Sequence, residues 1–351
     1  MRSLIANILT ALAALTSVAH STRENAQEYE ALCAAYQAAT GTIDAADFNT
    51  QEANAEVPAA VKALYATTIP DAHYDNRTFG VLKTENEFTT VQNTIKNEKK
   101  AYKLAVYTRP PDSPAKQAVH TALERLYNST KVAAGTAAEK ARELQGLKES
   151  AEKFLKAAVF GHEEATEAKE ENFDTRQAAC SEGGSGKQAS QNLAQALACV
   201  CGTASATAGI CVNGGNGANY GQGSNAQAGL NAYKAIVEKC KNDGDKKSVT
   251  PELLAAAVTQ VESKLGNKAF TGNTNNGRYV LGNGAAADCS GSAAISTCND
   301  YTKAVGTGTL HKVNWVENIL KATKKLKKAY TVRAELAKMQ AQLKAAEAQA
   351  W

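Results

Sequence analysis

Eight cysteines are the side chains of this 351-residue sequence best equipped for chemistry: Cys33, Cys180, Cys199, Cys201, Cys211, Cys240, Cys289 and Cys298. Thiols pair as disulfides, hold a metal or act as nucleophiles, and the compartment decides among these. Arg2 precedes an apolar run from Leu4 to Leu15, followed by the small residues Ser17 and Ala19 at the positions a signal peptidase reads. The run is too short to span a bilayer. It reads as a secretory signal peptide over residues 1–20, cleaved between Ala19 and Ser21, and no later stretch approaches a transmembrane length. An even number of cysteines in a secreted chain predicts disulfides. A zinc site needs closely paired ligands, and Cys199-Val200-Cys201 is too short a step for the usual pair. Cys289 and Cys298 can close a small local loop; the remaining connectivity is open at this level.

The catalytic candidates fail one by one. Gly186-Lys187 resembles part of a phosphate loop, but Gln188 stands where Ser or Thr must bind magnesium. His162-Glu163-Glu164 begins like a zinc-protease helix, yet the residue four positions after the histidine is Thr166. The five histidines are scattered, and no G-x-S-x-G elbow occurs. The sequence therefore assigns no catalytic, cofactor-binding or metal-binding residues. A net charge of +4, with 39 basic and 35 acidic side chains, is mild. The one basic concentration, Lys312 to Lys328, is interleaved with Val313, Trp315, Val316, Ile319, Leu320 and Leu326. That pattern is not a nucleic-acid surface. Two sequons, Asn76-Arg77-Thr78 and Asn128-Ser129-Thr130, are N-glycan acceptors by sequence.

The elements that must position these residues are mainly helical. From Ala115 to Asn172 the sequence follows an a/d seam: Val119, Leu123, Leu126, Thr130, Ala133, Ala137, Lys140, Leu144, Leu147, Ala151, Phe154 and Ala158. Unbroken, it is a rod of roughly 85 Å, with Gly135 and Gly146 as weak points and an acidic, solvated end from Glu163 to Asp174. Before it, Ser21 to Thr68 is helical in pattern, interrupted at Gly41 and Pro58. Pro70 to Gly80 reads as a loop, and Lys83 to Val106 as a helix stopped by Pro110-Pro111. Two helical stretches joined near Pro110 fold back as an antiparallel pair. That topology brings Cys33 to the Cys180–Cys211 cluster and predicts a bond between Cys33 and Cys180 or its neighbours.

Twenty of the 25 glycines and seven of the eight cysteines lie between Cys180 and Gly308. This stretch reads as loop and turn material held by disulfides rather than by an apolar core, with one short helix at Ser248–Leu265 capped by Thr250 and entered at Pro251. From His311 to Trp351 the helical pattern returns and stops without a terminating signal. The reading is thus an elongated, antiparallel long-helix coiled-coil bundle: a helical hairpin over 21–178, a disulfide-stapled lobe over 179–310 and a returning helix over 311–351.

This order of features resembles the N-terminal domain of a trypanosome variant surface glycoprotein. The signal peptide, the Ala-rich first helix with Cys33, the long heptad helix, the ACVCGTASATAGIC stretch (Ala198 to Cys211) and the closing helix entered through VNWVENILKATKKL carry it. The C-x-C followed by a third cysteine resembles the class B subtype. The resemblance covers essentially all of 21–351 and implies a dimeric coat protein that escapes host antibodies by antigenic variation, with the lobe at its membrane-distal end. It also implies attachment to the plasma membrane by a GPI anchor on a C-terminal segment absent from this chain. Trypanosome receptors for transferrin or for haptoglobin–haemoglobin use related scaffolds and are the alternative. The Gly-, Asn-, Ser- and Ala-rich loops offer few of the aromatic and Arg anchors a host-protein interface favours, Tyr220 and Tyr279 being the exceptions.

Overall fold

Apolar residues recur at helical steps far more often than in alternation, and the computed structural model is correspondingly mainly α. It describes residues 23–44, 48, 56–77, 79–97, 106–181, 189–205, 209–213, 219–240, 248–268, 278–284, 288–293, 296–306 and 308–351. The signal peptide, Gly186-Lys187 and Thr78 of the first sequon lie outside them. In chain order the elements are α1 (Ala26–Thr40), α2 (Ala59–Thr68), α3 (Asp71–Asp75), α4 (Glu85–Asn97), α5 (Pro114–Phe160), α6 (Arg176–Cys180), α7 (Leu193–Cys201), α8 (Ala226–Cys240) and α9 (Pro251–Glu262). An antiparallel hairpin of β1 (Val280–Asn283) and β2 (Thr297–Asp300) follows, then α10 (Thr302–Val305) and α11 (Asn314–Ala350). They cluster into two units. One draws on the chain up to Asp44 and on Ser150–Leu326, the other on Ala45–Glu149 and Lys327–Trp351.

In the second unit the long helix starts where the sequence puts a cap. The Ser113 hydroxyl accepts the Lys116 N–H at 3.1 Å, and Pro114 takes the first helical position. Along the predicted seam Leu123, Thr130, Ala137, Leu144 and Leu147 are buried, joined by Tyr127 and Ala134. Val119 is half exposed, so the seam opens at Leu123. α11 runs antiparallel to α5 in this unit. Lys328 pairs with Glu143 and Glu335 with Lys140, each at 2.7 Å, so later residues of one helix meet earlier residues of the other. α2 lies on the same helix: Tyr65 packs on Tyr127 and stacks on His120, and the Thr68 hydroxyl contacts His120 Nδ1 at 3.0 Å. Phe79 stacked on Phe88, with Val91, completes this core.

Pro70 to Gly80 is not wholly loop, as its polar composition suggests. Pro70 leads into the one-turn helix α3, its carbonyl accepting the His73 and Tyr74 N–H groups, and Asp71 places an acid in the first turn. That acid is clamped. The buried Lys116 ammonium reaches Asp112 at 2.7 Å and Asp71 at 3.0 Å, while Arg109 bonds Asp71 and lies 3.7 Å over the Tyr74 ring.

In the first unit α5 stops earlier than the seam suggests. The acidic run is not a helix end: Gly161, at φ +86°, closes α5 by donating its N–H to Ala157 at 2.8 Å, and residues 162–174 form turns and a 3₁₀ turn at Glu170–Asn172. The stretch 180–308 also departs from the loop reading, because it does contain an apolar core. Every residue of α7 is buried, against α1, α8 and β2, and α1 packs in turn on α9. A helix apolar on all sides shows no periodicity, so composition alone cannot announce it. α9 is as expected, with the Thr250 hydroxyl accepting the Leu253 N–H at 3.1 Å and Pro251 next.

Two predictions follow from this architecture. Gly135 and Gly146 are exposed within α5, and a β-carbon at either would meet nothing within 4 Å. Gly135→Ala and Gly146→Ala should each raise unfolding stability by about 0.5–1 kcal/mol, read by denaturant melts. Hydrogen bonds from Lys116, with Arg109 at Asp71 and the Asp71 N–H at Asp112, hold the carboxyls of Asp71 and Asp112 below their usual range. A carboxyl lowered on folding stabilises above its unfolded value near 3.9 and loses that contribution as pH falls through the folded value. Lys116→Met should therefore flatten the decline of stability with acid below about pH 4, seen by melting across pH 2–7.

Candidate functional site

The geometry of the cysteine-rich region is built outward from one buried cation. Thr175 caps the single turn of α6 by accepting the Ala178 N–H, which fixes Arg176 pointing inward. Its side chain is fully buried, and its guanidinium donates to four carbonyls: Cys289 at 3.0 Å, Tyr220 and Ser296 at 3.3 Å, and Ala198 at 3.4 Å. The Tyr220 ring lies 5.2 Å away. Burial pulls the guanidinium down to about 10, still far above neutrality, so the charge persists and the carbonyl dipoles satisfy it. Gly291, at φ +70°, passes so close to the guanidinium that a β-carbon there would sit 2.9 Å from it.

Disulfides surround this centre. Cys180 bonds Cys199, joining α6 to α7; Cys201 bonds Cys211; and Cys289 bonds Cys298 across the local loop the spacing allowed. The fourth bond corrects the expected topology. Cys33 is linked not to the 180–211 cluster but to Cys240 at the end of α8. The reason is packing. Tyr29, Cys33, Tyr36 and Gln37 form one face of α1, and that face lies on α8: Tyr29 donates to the Ile236 carbonyl, Tyr36 meets Tyr233, and Gln37 donates to the Cys240 carbonyl. Because α8 was read as loop, its cysteine had no predicted position.

Buried polar groups complete the frame. Asn25 donates to the carbonyls of Val200 and Thr297, both at 2.7 Å, which ties the start of α1 to α7 and β2. Asn299 donates to Ala196 and accepts from Ser190, and Trp315, fully buried in the first turn of α11, donates to Tyr301. Sequence reasoning missed Arg176, whose residue type is ordinarily exposed. The Thr-Arg pair after an acidic turn gives only a cap signal. Tyr220 and Tyr279, the two aromatic candidates for an exposed anchor, are buried instead.

The sequon asparagines are both exposed. Asn76 caps the C-terminus of α3, and Asn128 lies on α5 beside the seam, with the Thr130 hydroxyl turned in to the Leu126 carbonyl at 2.6 Å. His162, Glu163 and Thr166 lie on the exposed turn after α5 rather than on a helix. One polar cleft of about 150 Å³ opens in this unit, between the end of α5, the 3₁₀ turn and the first turns of α7 and α11. Among the described residues no group of three or more His, Cys, Asp or Glu side chains is arranged to hold a metal ion.

A mainly helical chain with a long heptad helix, a closing antiparallel helix and a four-disulfide region defines the class already suggested by the order of motifs. The family model of the trypanosomal VSG domain, in its B form, matches residues 8–345, and the chain belongs to that family. It is similar to the variant surface glycoprotein YnAT 1.3 of Trypanosoma congolense, 32% identical over 108 residues, which cover 29% of this chain and 24% of that protein. It is also similar to YnAT 1.1 of the same organism, 27% identical over 166 residues, covering 44% of this chain and 39% of that protein. The aligned stretches thus span well under half of either relative's length.

Arg176→Ala would leave the Cys289 and Tyr220 carbonyls without the guanidinium donor, the Ala198 and Ser296 carbonyls with only their backbone N–H from Gly202 and Gly291, and a cavity in their midst. It should cost about 3–5 kcal/mol, measured by denaturant unfolding of the oxidised protein. Arg176→Lys keeps the charge but has too few N–H donors for four acceptors, and should recover only part of that loss.

Proposed function

We propose that this chain is the N-terminal domain of a trypanosome surface coat glycoprotein, which shields the cell and evades host antibodies by antigenic variation. The observation that carries the reading is the family match over residues 8–345. The internal framework agrees with it. A region held by a buried arginine and four disulfides keeps its shape while exposed residues change, which is what a variable antigen requires. We place the stapled region 179–310 outward and take the molecule to be a homodimer anchored at the plasma membrane by GPI on a segment outside this chain. Among the described residues no helix is long and apolar enough to cross a membrane, so attachment through a lipid is consistent with the chain. Its physiological partners are then a second copy, the membrane and host antibodies, with no nucleic acid, no cofactor and no catalytic role. A receptor for a host serum protein is disfavoured, since burial of Tyr220 and Tyr279 removes the aromatic anchors such an interface would use.

Asn76 and Asn128 are proposed to carry N-glycans, both side chains being solvent-exposed. Asn76 should be occupied more fully, because it sits at a turn whereas Asn128 sits within a helix.

Quantitative mass spectrometry of biotinylated surface proteins, on cells expressing the full-length protein, tests the coat role. The protein should be the dominant surface species by a wide margin. A minor surface species would overturn the reading and direct a search for a serum ligand. Peptide mapping with and without glycosidase on the same material should show occupancy at Asn76 above that at Asn128.

A further inference from the structure

His120 joins two helices of the second unit, and its neighbours fix where its proton sits. The ring lies half-buried on α5, stacked 4.9 Å from the ring of Tyr65 on α2. Its Nδ1 is 3.0 Å from the Thr68 hydroxyl, also on α2. That hydroxyl has a single proton and gives it to the Tyr65 carbonyl at 2.8 Å. Nδ1 is therefore the donor to Thr68, and Nε2 carries the lone pair of the neutral ring. At neutral pH the end of α2 is thus latched to α5 by one hydrogen bond and one ring stack, at the edge of the core that holds Ala66, Ile69 and Tyr127.

A second proton enters at Nε2, where no described residue offers an acceptor, and the charge it brings is poorly placed. The buried Lys116 ammonium lies one turn earlier on α5, and His73 of α3 also disfavours a cation at His120; Glu124, one turn later on α5, attracts it. The Tyr65 and Tyr127 hydroxyls stay neutral, since burial pushes both up. Burial above all, opposed by Glu124 and reinforced by His73 and Lys116, holds the imidazole below its ordinary value. A histidine lowered on folding stabilises the fold above its unfolded value near 6.5 and loses that contribution as pH falls through the folded value. The neighbouring clamp responds elsewhere on the pH scale. The carboxyls of Asp71 and Asp112 are held below the usual range, so Lys116 and Arg109 keep their partners in mild acid. We infer that His120 is an acid-sensitive latch: protonation at Nε2 parts the end of α2 from α5, while the clamp on Asp71 and Asp112 stays closed and keeps α3 in place.

The test is hydrogen–deuterium exchange of the purified, oxidised protein, read peptide by peptide and corrected for the intrinsic effect of pH on exchange. Between about pH 7.4 and about pH 5.5, residues 59–69 should lose several-fold protection, while the α5 peptides beyond residue 130 keep theirs. His120→Phe retains a ring on Tyr65 but takes no proton, so its protection over 59–69 should not change with pH. Glu124→Gln removes the carboxylate that favours the charged ring. It should deepen the loss at the lower pH and leave the higher pH unaltered, and it keeps the proposal testable should the phenylalanine variant misfold. Equal protection of 59–69 at both pH values in the unaltered chain would overturn the proposal. So would an equal loss in His120→Phe or no effect of Glu124→Gln, which would assign the acid response to another group, or a loss spread evenly along α5, which would be general unfolding rather than a latch.

Discussion

The arrangement of the first unit depends on one buried charge. An unpaired guanidinium in an apolar interior is prohibitively unfavourable, so Arg176 can be where it is only if several carbonyls converge on it. Those carbonyls belong to Ala198 at the end of α7, to Tyr220 before α8, to Cys289 in the loop closed by its own disulfide, and to Ser296 at the entrance to β2. They come from three stretches of the chain, which Arg176 ties at one point alongside the backbone bonds from Ala204 to Gly291 and from Tyr220 to Thr203. The arginine thus does for irregular backbone what a sheet ladder does for strands: it gives carbonyl groups buried donors and fixes their relative positions. The disulfides limit the unfolded chain, whereas Arg176 selects among the folded arrangements those limits still allow.

The second unit is held in a different way. Its long helices meet through small and medium apolar residues, with Lys140, Glu143, Lys328 and Glu335 alternating in sign across the exposed margin. Such exposed pairs add little energy each, yet they suit only one sliding register of α5 against α11. Tyr65, Tyr127 and Phe88 provide the bulky core that alanine-rich seams lack.

What could be read in advance follows from which interactions leave a local trace. The seam through Leu123, Ala137, Leu144 and Leu147 was legible because one buried face and one solvated face impose a helical period. The Thr250–Pro251 start of α9 was legible because capping is local chemistry. α7 was not, since burial on all sides erases the period, and its Ala and Cys residues are equally at home in loops. The end of α5 at Gly161 was marked in the sequence, but the acidic run beyond it continued to look helical. Arg176 and the Cys33–Cys240 bond were illegible for one shared reason. Cys33 meets a partner 207 residues away, and Arg176 meets partners 22, 44, 113 and 120 residues away, so no short window contains both halves of either interaction.

That last bond also governs the order in which the chain can mature. Cys33 is the first cysteine of the chain, yet its partner lies 207 residues further on, beyond Cys180, Cys199, Cys201 and Cys211. The two short bridges can close as soon as their own segments are translocated. The long one must wait for α8, and during that wait α1 carries an open thiol past four wrong partners. Early closure of the small loops removes those partners from competition. A nested cysteine order of this kind favours closing the short loops before the long one, because loop-closure entropy grows with loop length, and that leaves the N-terminal thiol for the partner that completes the fold.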